Sequence, residues 1–101
     1  MIETMDTETV AAAQTDQVLG ETGTKGDVLK RLIIVPAAVG CGVVTIKNGS
    51  AGSAITIYAA GANLVDLKPF VVEIDAICTA TGGWRVTTGA NVSVIAVGRF
   101  I

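Results

Sequence analysis

Residues 69–101 decide the fold class: Pro69-Phe70-Val71-Val72-Glu73-Ile74-Asp75-Ala76-Ile77-Cys78-Thr79-Ala80-Thr81-Gly82-Gly83-Trp84-Arg85-Val86-Thr87-Thr88-Gly89-Ala90-Asn91-Val92-Ser93-Val94-Ile95-Ala96-Val97-Gly98-Arg99-Phe100-Ile101. From Phe70 to Thr79 the side chains alternate with period two. Val72, Ile74, Ala76 and Cys78 fall on one face, and Val71, Glu73, Asp75 and Ile77 on the other, as in a strand. Pro69 opens this strand, a position that proline tolerates. Ala80-Thr81-Gly82-Gly83 predicts a turn, after which Trp84 to Thr87 pairs back with Trp84 and Val86 inward. A second turn at Gly89-Ala90-Asn91 leads into Val92–Ile101. This last strand is apolar on both faces, Val92, Val94 and Ala96 against Ile95 and Val97.

The same grammar runs upstream. Gly20 to Asp27 is a glycine-rich loop. Val28 to Val35 predicts a strand stopped by Pro36, with Lys30 on one face and Leu29 and Arg31 on the other. Its second half, Leu32-Ile33-Ile34-Val35, is apolar on both faces, which places it in a core or under a partner. Gly42–Lys47 and Ala54–Ala60 predict two further strands. Asn48-Gly49 between them is a hairpin signal, lengthened by Ser50-Ala51-Gly52-Ser53. Gly61-Ala62-Asn63 ends the second of these, and Leu64–Lys68 links onward. Six main strands at close spacing predict an all-β, antiparallel two-sheet sandwich, jelly-roll-like, with a compact barrel as the alternative.

Composition agrees. Among 101 residues there are 14 Val, 10 Ile and 12 Thr but only five Leu, and β-branched side chains pack well on a pleated surface. Half the residues are apolar and 16% are charged, which excludes intrinsic disorder. A net charge of −2 with four aromatics disfavours nucleic acid as a partner. The acidic N-terminus has no apolar core of a secretory signal. The longest apolar run, Leu32–Val44, is short for a bilayer span and is broken by Pro36, Gly40 and Gly42, so no membrane association and synthesis in a cytosol are expected.

Charge divides the chain. Residues 1–21 carry five acids and no base, a charge of −5, whereas residues 22–101 carry +3. The expectation is an extended acidic N-terminal arm, 1–21, before a β-sandwich domain, 22–101. Val10-Ala11-Ala12-Ala13-Gln14 is long enough for only one or two helical turns. The arm either stays disordered or docks on a neighbouring subunit.

Chemistry is hard to assemble from these residues. The chain has no His, which removes His-based triads and His-ligated metals. Cys41 and Cys78 sit in no metal-binding spacing and read as buried thiols or, alternatively, as a disulfide. Glu73 and Asp75, two apart on one strand face, read as a solvated pair facing a partner such as Arg85, or else as an acid/base or cation pair. Gly23-Thr24-Lys25-Gly26 lacks the full phosphate-loop pattern. Trp84 reads as core or as a sugar-stacking residue. No enzyme, cofactor or metal is expected.

Mean hydropathy is +0.63, and two strands are apolar on both faces. Eighty residues bury only about two-thirds of their unfolded surface, so a homo-oligomer is expected. The contact candidates are Val10, Ala11, Ala12 and Ala13 in the arm, with Ile33, Ile34, Ile95, Val97 and Phe100 in the body.

Three stretches carry a resemblance: Val44-Thr45-Ile46-Lys47-Asn48-Gly49 followed by Ile55-Thr56-Ile57-Tyr58; Pro69-Phe70 with its alternating strand; and Gly83-Trp84 through Val97-Gly98. Across roughly residues 24–100 the chain resembles small structural proteins of tailed bacteriophages, the cement or decoration proteins of the head. The resemblance implies a non-enzymatic virion protein on the capsid exterior. It also implies a dimer or trimer whose partner is the major capsid protein and whose role is to reinforce contacts between capsid subunits. If the oligomer is a trimer, Val92–Ile101 is the leading self-contact strand. A tail or head-fibre component is the alternative in the same virion. A carbohydrate-binding module using Trp84 and the Glu73/Asp75 face is the alternative from another class.

Overall fold

A computed structural model describes residues 5–38, 40–59 and 68–101. Eight strands follow one another: β1 (Asp6–Val10), β2 (Gln17–Val18), β3 (Val28–Pro36), β4 (Val44–Asn48), β5 (Ile55–Tyr58), β6 (Phe70–Ile77), β7 (Trp84–Thr88) and β8 (Val92–Arg99). No helix occurs among the described residues. Two four-stranded sheets form, sheet A in the order β1-β8-β3-β6 and sheet B in the order β2-β7-β4-β5. Every pairing is antiparallel. Apart from the β4–β5 hairpin, each connection crosses from one sheet to the other. That order is the eight-stranded, double Greek-key jelly roll.

The predicted strands β3 to β8 form within a residue or two of their sequence limits. The end of the strand read as Ala54–Ala60, the turn Gly61-Ala62-Asn63 and the link up to Leu67 lie outside the described residues. Three expectations change. Trp84–Thr88 does not pair back on β6; it crosses to sheet B, between β2 and β4. Positive φ at Gly82 (105°) and Gly83 (71°) re-aims the chain there. A Cβ on Gly83 would stand 2.6 Å from Gly23 Cα, so the turn seats directly on the loop before β3.

Residues 6–21 do not hang free. β1 adds to the edge of sheet A along β8, and β2 adds to sheet B along β7. Ala11 to Asp16 is a loop with positive φ at Ala13 and Asp16, not a helical turn. Three acids of this segment, Asp6, Glu8 and Asp16, are engaged inside the chain. Asp6 Oδ2 accepts from Phe100 N–H at 3.1 Å, and Glu8 Oε1 accepts from Gly20 N–H at 2.7 Å. Asp16 pairs with Lys47 at 3.2 Å. Through Asp16 and Lys47, acidic segment and basic body thus attract within one molecule.

The alternation of β3 also breaks. Between Leu29 and Arg31, β3 advances two residues while β8 advances one and β6 three. This bulge runs across three strands and includes Asp75, at φ 51°. Leu29 therefore faces the core while Lys30 and Arg31 both lie outside it, half-buried.

The core lies between the sheets. Leu29, Leu32 and Ile34 of β3 and Val92, Val94 and Ala96 of β8 meet Val44, Ile46, Trp84 and Val86 of sheet B. Val10 and Leu19, from the acidic segment, are fully buried with them. Trp84 Nε1 donates to the Asp27 carbonyl at 3.2 Å. Asp27, itself buried, accepts through its carboxylate from Thr24 N–H and Ile101 N–H. Buried Thr88 fastens the Ala11–Asp16 loop: its Oγ1 donates to Ala11 C=O at 2.6 Å and accepts from Gln14 N–H at 3.0 Å.

Candidate functional site

A two-layer sandwich has two inner faces and two outer ones, and the outer faces of this protein differ. Residues paired across strands point to the same side of a sheet, so the ladders give the outer face of sheet A row by row. Thr9, Ile95, Ile33 and Val71 form one row across all four strands. Thr7, Val97, Arg31 and Glu73 form the next. Val35 and Ser93 pair beyond the first row, and Arg99, Val28 and Ile77 meet beyond the bulge. Ile33, Val35, Ile95 and Val97 are half-buried within their own sheet, and Val71 and Ile77 are 54% and 56% exposed. No described residue forms a third layer over them.

The result is an aliphatic centre of Ile33, Val35, Val71, Ile95 and Val97. Thr7 and Thr9 border it along β1, and Ser93 at one end. At the other end lie two ion pairs, Arg31–Glu73 at 3.0 Å and Lys30–Asp75. An apolar middle with a polar border is the anatomy of a protein–protein contact. Contiguous apolar area at an outer face, here half-buried at its centre and exposed at Val71 and Ile77, marks interaction surfaces more often than chance surface does.

The sequence-derived contact candidates separate on this structure. Ile33, Ile95 and Val97 come together on the outer face, with Ile33 and Ile95 directly opposite one another. Ile34, Val10 and Phe100 turn inward and belong to the core. Ala11, Ala12 and Ala13 are exposed in the loop beyond β1, where Ala11 C=O accepts from Thr88 Oγ1 and Ala13 N–H donates to Gly89 C=O. Strand parity around the Leu29–Arg31 bulge separates Ile33 from Ile34. Val35 and Val71 complete the face; Val71 was legible only as the partner of Ile33 in a register that the sequence does not state.

The residues read as candidates for chemistry do not converge. Trp84 is 3% exposed and hydrogen-bonded in the core, so its ring is closed to a sugar. Glu73 and Asp75 face Arg31 and Lys30 of β3, not Arg85, which lies on the other sheet. Cys41 and Cys78 are buried free thiols, Cys41 Sγ 3.4 Å from Tyr58 Oη and Cys78 Sγ donating to Asn48 Oδ1 and Ala80 C=O. Two open clefts of about 560 and 540 Å³ flank Phe100 and Ile101. Asp6 and Asp27, the acids in the larger one, are committed to main-chain N–H groups.

The outer face of sheet B has a different character. Thr87, Thr45 and Thr56 align across β7, β4 and β5, and Lys47 pairs with Arg85 beside them. Lys47 and Thr87 both engage Asp16. Arg85 Nε is buried without a hydrogen-bond partner among the described residues.

No family model, curated protein or solved structure matches this chain.

Proposed function

We propose that this protein is a non-enzymatic structural component of a tailed bacteriophage particle, a cement or decoration protein on the outside of the head. It would act by binding: many copies, each making a modest contact, would reinforce the joints between major capsid subunits, and their contributions would combine through multivalency. The observation that carries this reading is the aliphatic outer face of sheet A on a rigid jelly-roll frame, an architecture used by viral capsid domains. A frame of this kind needs no cavity or mobile element to do such work. The resemblance of residues 24–100 to head proteins supports the same reading.

The test uses heads of the phage that encodes the chain. Purified protein added to heads lacking it should co-sediment to a saturating, fixed ratio and raise the temperature at which the heads rupture. Label confined to the tail would favour a fibre component instead, and no binding to any part of the particle would refute the virion role.

A further inference from the structure

We infer that the outer face of sheet A is covered by the same face of a second copy of this chain, packed sheet on sheet about a two-fold axis. The inference rests on the binding role of that face and makes the two-fold dimer, not the single chain, the unit that reinforces the capsid joints.

The first ground is chemical. Ile33, Val35, Ile95 and Val97 are side chains of the same kind as Ile34, Val94 and Ala96, which alternate with them along β3 and β8 and pack against sheet B. Aliphatic sheet faces stack at about 10 Å by interdigitating such side chains. A surface that repeats the inner face is therefore of the kind that is buried under a second sheet, and another copy of this chain offers one.

The second ground is area. Three strands of about eight residues and β1 of five, about 4.8 Å apart and rising about 3.3 Å per residue, cover roughly 480 Å². Two such faces bury about 1,000 Å², the lower bound for a specific interface. The third ground is charge. The charged groups that border the aliphatic centre, Lys30 with Asp75 and Arg31 with Glu73, are paired within each molecule, so these four add no net charge where two copies meet. Identical patches that meet each other close as a two-fold dimer.

Sedimentation equilibrium on the full chain between 1 and 100 µM tests this. The wild type should reach the dimer mass. Ile33→Thr/Ile95→Thr, which keeps β-branching and the fold, should raise the dissociation constant at least tenfold; Thr45→Lys on the outer face of sheet B should leave it unchanged. Should the double variant fail to fold, Ile33→Cys gives a second route, because a residue near a two-fold axis meets its own copy. Mild oxidation should link Ile33→Cys into a covalent dimer and leave Thr45→Cys without an intermolecular crosslink. A wild-type monomer at 100 µM, or an oligomer indifferent to both sheet A variants, would overturn the inference. Dimers that ignore phage heads would remove the capsid role and leave this contact standing; monomers that bind heads would do the reverse.

Discussion

Two rows of side chains, one on each sheet, frame what is distinctive about this molecule. On sheet A the row is Ile95–Ile33–Val71, and on sheet B it is Thr87–Thr45–Thr56. All six residues are β-branched, all occupy outward positions, and all suit the pleat equally well. What differs is a methyl or ethyl group where threonine has a hydroxyl. Strand propensity therefore built both sheets alike, and polarity alone left one outer face wet and the other unsatisfied by water. The same contrast extends to the charges. On sheet B, Asp16 draws Lys47 and Thr87 into a polar network, whereas on sheet A the ion pairs stand at the margin of the aliphatic centre.

The comparison assumes a single dry core between the sheets, and the largest effect tests that assumption. Trp84→Ala should cost about 3–5 kcal/mol of unfolding free energy, measured by urea titration followed by circular dichroism. A change below 1 kcal/mol would mean that Trp84 stands at a surface. Next come two neighbours on β3. Ile34→Ala should cost about 2–5 kcal/mol, as a core truncation. Ile33→Ala, measured at a concentration where the chain is monomeric, should cost less than about 1 kcal/mol, the range of surface changes. Equal losses at the two positions would erase the distinction between inner and outer faces.

A smaller effect belongs to the loop that joins the two edge strands contributed by the N-terminal segment. Thr88→Val keeps the shape but leaves Ala11 C=O and Gln14 N–H without their partner. It should cost about 1–3 kcal/mol and raise amide exchange at Gln14. Smallest of all, Arg31→Met removes the ion pair with Glu73, both partners being more than a third exposed. Its effect on stability should stay below about 1 kcal/mol and shrink further in 1 M salt.

Much of this fold was legible in local signals. Period-two alternation located β6, and Asn48-Gly49 located the β4–β5 hairpin. Pro36 marked the end of β3. Turn chemistry reported where the chain turns but not which sheet it enters next. Gly82-Gly83 is as compatible with a hairpin as with the crossing that occurs, and the choice depends on distant partners of β7, Gln17 and Asn48 among them. β1 and β2 were missed for a different reason. Asp6-Thr7-Glu8-Thr9 and Gln17-Val18 are polar edge segments, and their strand identity comes from β8 and β7 offering unpaired backbone. Their acids suggested an arm because sequence distance hides that Asp6 meets Phe100 and Asp16 meets Lys47. The excess of apolar strand surface was readable from Ile33, Ile95 and Val97. Which of the paired apolar residues faced outward was not, since the bulge at Lys30 resets the parity that leads to Ile33 and Ile34.

The central claim is that the aliphatic outer face of sheet A is open in the single molecule and closed in the assembly. Methyl resonances of the isoleucines, recorded with a soluble paramagnetic agent at low and at high protein concentration, test it most directly. Ile34 and Ile46 should stay protected throughout. Ile33 and Ile95 should broaden strongly in dilute solution and regain protection as concentration rises. If Ile33 and Ile95 relax identically at every concentration, whether exposed or shielded, the face does not bind a second copy.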